Sequence, residues 1–195
     1  FVKKIAIFAS GSGSNAEKIC AFFSDSSDVS VVAIGTNNAK APVIDRAKKL
    51  NIPFFVFSKK DLVLFTTLRS KLVNYGVDYI ILAGFLLKIP AEMISLYQNK
   101  ILNIHPSLLP KYGGKGMFGK NVHRAVLENK ETVSGISIHL VNENYDKGHV
   151  LFQKSCPVSP VDTIDSLSKK ITSLEHSFFA KTIEKYIKDE NNHIY

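Results

Sequence analysis

Short apolar strands alternate with amphipathic helices from residue 3 to residue 104, and this rhythm constrains the fold more than any other feature. Ile5, Ala6, Ile7 and Phe8 form an unbroken apolar run in an expected strand over residues 3–9, which ends at Ser10-Gly11. Unbroken runs mark strands covered on both faces, as in parallel sheets between helical layers. A helix follows, with Ala16, Ile19, Cys20 and Phe23 at helical spacing. The pattern repeats with a strand at 29–35, then a helix at 38–50 that has Pro42 near its start. A strand at 54–57 leads to a helix that Asp61 caps, that carries Phe65, Leu68 and Leu72, and that Gly76 ends. A strand at 79–83, a short helix from Pro90 and a strand at 101–104 complete the series. Such order predicts an α/β fold with a doubly wound, mostly parallel sheet of the Rossmann-like kind.

The second half departs from this rhythm. Residues 107–119 read as a long loop rich in glycine, followed by a helix at 121–129. Strands at 133–142 and 149–158 read as an antiparallel pair across a turn at 143–148. A C-terminal helix of about six turns is expected from Asp162, with Ile164, Leu167, Ile171, Leu174, Phe178 and Ile183 as its apolar stripe. The Phe22-Phe23 and Phe178-Phe179 pairs read as core. With no repeat, low-complexity tract or linker, a single domain over 1–195 is expected.

Composition narrows the class. The chain is 45% hydrophobic and 22% charged, the balance of a globular protein. No apolar run is long enough to span a bilayer, no leader pattern stands before the first strand, and the two cysteines lack metal-ligand spacing. A cytoplasmic protein without metal and without membrane contact is the expectation. The net charge of +8 would suit nucleic acid, a phosphorylated substrate or an acidic cofactor. Its lysines come as scattered pairs such as Lys48-Lys49 and Lys59-Lys60, without interleaved aromatics, so solvated surface is expected and nucleic acid is not.

Two groups of residues carry chemistry. Gly11-Ser12-Gly13-Ser14-Asn15 lies between a strand and a helix start, where glycines admit an anion to the free helix N–H groups. A phosphate site is the direct reading, and a tight turn that merely needs glycine is the alternative. With Ala16 the loop also fits a loose dinucleotide fingerprint. That reading needs a carboxylate at the end of the second strand, where Gly35-Thr36-Asn37-Asn38 offers none.

The second group is Asn103, His105 and Asp146. Asn103 and His105 share one face of a strand that runs out into the long loop, the edge at which open α/β sheets bind ligands. Asp146 lies in Asn144-Tyr145-Asp146-Lys147-Gly148, which also reads as an ordinary turn. Near the imidazole, its carboxylate would raise the histidine's pKa, and the trio could donate a proton or stabilise an oxyanion. No serine with an adjacent base is evident, so direct attack by a substrate amine fits the parts. His139 could line the site or be a buried structural residue. His123 and His149 are expected on the surface or a helix, and His176 beside Glu175.

Several segments resemble one family. They are residues 10–15, Leu82-Ala83-Gly84-Phe85, the run from Leu102 to Tyr112, Gly135-Ile136-Ser137-Ile138-His139, Tyr145-Asp146-Lys147-Gly148 and Glu175-His176. On these the chain resembles the folate-dependent formyltransferases. The Asn-x-His-Pro-Ser-Leu-Leu-Pro stretch marks folate-dependent formyl transfer. The glycine loop, with the chain's length, points to members that formylate glycinamide ribonucleotide, and away from those that formylate aminoacyl-tRNA or hydrolyse the folate.

The resemblance implies 10-formyltetrahydrofolate as donor and glycinamide ribonucleotide as acceptor in purine synthesis, in a monomer or weak homodimer. It implies that Asn103, His105 and Asp146 are catalytic, with Asn103 also meeting the formyl group. Gly13, Ser14 and Asn15 would hold the substrate phosphate, and Glu175 would contact the ribonucleotide. Leu86, Leu87, Lys88 and Ile89 would line the folate pocket. Many members carry arginine where this chain has Leu87, so backbone contacts are expected there, and no basic folate contact is assigned near Asp61. The loop at 112–120 is longer and richer in glycine than in many members. Formyl transfer to a different amine, and a non-catalytic nucleotide-binding module, are the competing readings.

Overall fold

The computed structural model describes residues 1–192, and its strands hydrogen-bond in the order β3-β2-β1-β4-β5-β6-β7. β1 (Lys3–Phe8) pairs in parallel with β2 (Val29–Thr36) on one side and β4 (Tyr79–Leu82) on the other, and β3 (Phe54–Val56) pairs in parallel with β2. β5 is Ile101–His105, and β6 (Val133–Leu140) and β7 (Val150–Pro157) form the expected antiparallel pair. The chain therefore has the anticipated mostly parallel sheet with one antiparallel pair. It gathers into two compact units, Phe1–Leu102 and Asn103 onward.

In the first unit, Ile5, Ala6, Ile7, Phe8, Ile80 and Ile81 are fully buried, which is why these strands read as unbroken apolar runs. The order turns back on itself at β1, whose neighbours β2 and β4 are reached by opposite crossovers. The carboxyl ends of such a pair of strands form the usual ligand crevice.

Helix boundaries supply the corrections. α1 (Ser14–Phe22) stands as expected, but α2 begins at Val43 rather than residue 38 and ends at Lys49. Asn38 Oδ1 accepts the Lys40 N–H and Asn38 O accepts the Ala41 N–H, so residues 38–41 close as a turn before Pro42 starts the helix. The helix expected from Asp61 is two helices, α3 (Lys59–Leu64) and α4 (Thr66–Asn74). Ser58 is the true cap: its side chain accepts the Asp61 N–H while Asp61 accepts the Ser58 N–H. Phe65 breaks the helix at φ 56, and complete burial of its ring favours that strained backbone.

α5 is Ala91–Leu96, and α6 (Lys120–Glu128) falls within one residue of its expected bounds. β6 stops two residues early because Asn142 accepts the Asn144 N–H and donates to Lys147 O, turning the chain. α7 runs over Ile164–Asn192, 29 residues and about eight turns rather than six. Its buried face is Leu167, Ile171, Phe179, Ala180, Ile183 and Ile187. Phe178 stacks at 5.1 Å on Phe152 instead of entering the core, and Phe22 is exposed while Phe23 is buried. Adjacent helical residues point about 100° apart, so only one of each pair can face inward.

Candidate active site

In the first unit the glycine loop is held by α2. Gly13 takes a left-handed φ of 73° as the N-cap of α1 and packs so closely that an added Cβ would lie 2.3 Å from Val43 Cγ2. The Val43 N–H donates to Gly11 O at 3.2 Å, and Arg46 Nε donates to Ser12 O at 2.8 Å while its guanidinium pairs with Glu17. Gly13 offers α1 no side-chain cap, and a helix start of this kind is where backbone amides can meet an anion. Ser10, at the end of β1, ties the neighbouring loops together. Its hydroxyl donates to Asn37 Oδ1 at 2.6 Å and accepts the Leu86 N–H at 3.0 Å, and its own N–H donates to Gly84 O. The strand-end position that a dinucleotide site needs as a carboxylate is thus an amide engaged with Ser10. In the stretch after β4, Leu86 and Lys88 are exposed and Leu87 is half-buried, whereas Ile89 is buried in the core.

The second unit gathers Asn103, His105 and Asp146. β5 turns Asn103 and His105 to one face, with Leu102 and Ile104 buried on the other. Asp146 sits in the turn before β7 at φ 54, so it is both turn residue and member of the cluster. Asp146 Oδ2 accepts the Gly114 N–H at 2.8 Å and lies 3.6 Å from His105 Nδ1. Its Oδ1 lies 3.5 Å from His139 Nε2. Gly113 has to be glycine here, since a Cβ would meet Leu109 Cδ2 at 2.6 Å and Asp146 Cβ at 3.2 Å.

The hydrogen bonds fix tautomers. His105 Nε2 lies 2.7 Å from Tyr112 O, and a carbonyl only accepts, so Nε2 carries the proton. His139 Nδ1 likewise donates to Leu140 O at 2.8 Å, and its Nε2 lies 3.1 Å from Asn103 Nδ2 on one side and faces Asp146 on the other. One Asn103 amide hydrogen faces that ring and the second can serve a substrate. His139 is 2% exposed, so it is buried and also part of the cluster.

Burial lowers the His105 pKa by more than Asp146 and the Tyr112 carbonyl raise it, with His139 lowering it further. The carboxylate does raise the pKa as expected, and burial outweighs it, so the imidazole is less basic than an ordinary histidine. Burial also raises the Asp146 pKa, but His139, His105 and the Gly114 N–H together bring it below the usual carboxylate value. The cluster is an imidazole of lowered basicity beside an ionised carboxylate.

Sequence reasoning missed Tyr112 and Gly114 because they act through backbone groups, which no residue type advertises. Ser137 stands in the sequence only as part of the segment 135–139. Its hydroxyl donates to Ser107 O and accepts the Leu109 N–H, stitching the loop to β6. His123, expected near the surface, is 3% exposed on α6 with no hydrogen-bond partner at Nδ1. Its helix turns that position to the same side as the buried Val122 and Val126. Glu175 is half-buried on α7. Among the described residues no group of three acidic, histidine or cysteine side chains could hold a metal ion, and no helix is long and apolar enough to cross a membrane.

A family model described as formyl transferase matches residues 3–183. Phosphoribosylglycinamide formyltransferase, chloroplastic, of Arabidopsis thaliana is 41% identical over 93% of this chain, which spans 64% of that relative's length. Phosphoribosylglycinamide formyltransferase of Bacillus subtilis (strain 168) is 32% identical over 95% of each chain. A crystal structure of phosphoribosylglycinamide formyltransferase from Anaplasma phagocytophilum superposes with a TM-score of 0.88 at 31% identity, over 97% of this chain and 89% of the other.

Proposed function

Because the chain belongs to the formyl transferase family, we propose that it moves the formyl group of 10-formyltetrahydrofolate to the amine of glycinamide ribonucleotide, in purine synthesis. The observation that carries this reading is the convergence of Asn103, His105 and Asp146, with 3.6 Å between imidazole and carboxylate. The ribonucleotide phosphate sits on Gly13, Ser14 and Asn15, and Glu175 meets the same substrate. The folate takes the stretch Leu86, Leu87, Lys88 and Ile89, where the burial of Ile89 leaves contact to its backbone and to its neighbours. The whole chain serves as one formyltransferase domain, as a monomer or weak homodimer in the cytoplasm, and the reaction uses no metal.

The amine attacks the formyl carbon, and the carbonyl electron pair moves onto oxygen. The second Asn103 amide hydrogen stabilises that oxyanion, and His105 joins it once its Nε2–H turns from the Tyr112 carbonyl to the oxygen. The proton shed by the attacking amine passes through water to the ring, and Asp146 pairs with the imidazolium that forms. Collapse expels the folate nitrogen, and the imidazolium returns that proton to it through water.

A spectroscopic formyl-transfer assay with glycinamide ribonucleotide tests the reading. Removal of one oxyanion donor typically costs about 10²–10³ in turnover, and Asn103→Ala should lose that much while ribonucleotide binding stays. Near-normal turnover would defeat the assignment, and faster transfer to a different amine in a parallel assay would replace the acceptor.

A further inference from the structure

We propose that Ser10 is a positioning residue whose hydroxyl couples two binding segments of the first unit, the glycine loop and the stretch from Leu86 to Ile89. The inference deepens the reading above, since it takes the phosphate on the first segment and the folate on the second. Ser10 follows the end of β1, the strand that lies between β2 and β4. Its N–H donates to Gly84 O at 3.1 Å, one step beyond the bond from the Ala83 N–H to Phe8 O. Gly84 itself takes a left-handed φ of 73°. Beyond it a side chain makes the tie: Ser10 Oγ accepts the Leu86 N–H at 3.0 Å.

Three features make this hydroxyl a link. It has one hydrogen and two lone pairs, so donating to Asn37 Oδ1 at 2.6 Å leaves it free to accept from Leu86. Ser10 is only 9% exposed, so water cannot readily replace either partner. Gly11 follows directly, and its carbonyl accepts the Val43 N–H at 3.2 Å, so Ser10 is continuous with the part of the loop that α2 holds.

An anion that orders residues 11–15 restrains Ser10 through the chain, and Ser10 then restrains the Leu86 amide. Part of the ordering that a folate requires is complete before it arrives, and the second ligand binds more tightly for that reason. Linkage makes the effect reciprocal. A merely structural serine would weaken each ligand separately and leave their mutual effect unchanged. The Phe85 ring packs 5.5 Å from Phe8 and 5.9 Å from Phe57. That apolar anchor does not involve the hydroxyl, so Ser10→Ala should keep the fold.

The test uses the full chain with glycinamide ribonucleotide and tetrahydrofolate, a pair without a formyl group to transfer. In wild type, saturating ribonucleotide should tighten tetrahydrofolate binding at least about fivefold, the lower end of the usual range for coupled sites. In Ser10→Ala that factor should fall to within about twofold of unity, the two ligands then binding almost independently. A second measurement needs no variant. Ribonucleotide alone should raise the protection of the Leu86 amide against exchange, and inorganic phosphate should do so more weakly. An unchanged factor in Ser10→Ala, or a wild-type Leu86 amide that neither anion protects, overturns the proposal. Coupling and protection without formyl transfer would count against the function and leave the link standing. Normal formyl transfer with independent binding of the two ligands would sink the link alone.

Discussion

The glycine loop of the first unit and the Asn103–His105–Asp146 cluster of the second are built on opposite plans. The loop is a backbone structure: its shape comes from Gly13 against Val43 and from two carbonyls held by α2, and the proposed phosphate would meet helix amides. The cluster is a side-chain site whose members come from β5, β6 and the turn before β7, and whose protonation depends on further backbone groups at Tyr112 and Gly114. A backbone cradle can be damaged only by changing the path of the chain. A side-chain cluster can be damaged by a single atom. The variants that follow should separate the two plans, the first by failing in turnover and the next two by failing in substrate affinity.

The largest effect is expected at Asp146. Asp146→Asn keeps the size of the side chain but removes the charge that pairs with the developing imidazolium, and it puts an amide opposite His105 and His139. We expect kcat to fall by about 10³–10⁴, the scale on which an imidazole's lost carboxylate partner acts in serine proteases. KM for the ribonucleotide should hold. A loss of less than tenfold would mean that the carboxylate is only a turn residue.

Gly13→Ala attacks the other plan. The new methyl would have to occupy space already taken by Val43, at a φ of 73° that disfavours any side chain. The loop must move, at a cost of about 1–3 kcal/mol in stability, and ribonucleotide KM should rise at least about tenfold, one such increment of about 1.4 kcal/mol. The rate at saturating substrate should stay within a few-fold of wild type. Unchanged KM would show that no anion docks there.

The two plans also differ in what could be read from sequence. The strands of the first unit were legible because covering both faces of a strand forces an unbroken apolar run. Gly13 was legible because only glycine accepts its place. The partition of α3 and α4 was not, since a buried phenylalanine at Phe65 looks like any helical core residue until the tertiary packing imposes its backbone. In the second unit Asn103 and His105 announced themselves by spacing, and Asp146 only as one reading of a turn. His139 and Asn103 lie 36 positions apart, and the carbonyl of Tyr112 has no residue-type signature. Asn103, His105 and Asp146 could be picked out of the sequence, whereas the backbone partners that hold them together required geometry.

Arg46→Ala is a milder probe of the loop. It removes the Nε–H bond to Ser12 O and the ion pair with Glu17, without adding bulk. One hydrogen bond is worth about 0.5–1.5 kcal/mol net, so ribonucleotide KM should rise about two- to tenfold with kcat unaltered. A fall in kcat at saturation would mean that the loop does more than bind.

The smallest effect is graded and falls on one unit alone. All six histidines lie beyond residue 103, and burial lowers the pKa of both His105 and His123 from an ordinary value of 6.5. The unfolded chain therefore binds these protons more readily than the folded one, so this stability is complete above about pH 6.5 and drains away as pH falls toward the folded values. Asp146, also lowered, acts in the same sense in a separate window beginning near its ordinary 3.8. Between pH 7 and 5, amide protection factors should fall in β5, β6 and α6 before they do in β1, β2 and β4. His123→Leu, which removes a titrating ring whose Nδ1 has no partner, should flatten the fall of Tm over that interval. If the first unit's strands lost protection first, acid sensitivity would have to arise outside these histidines.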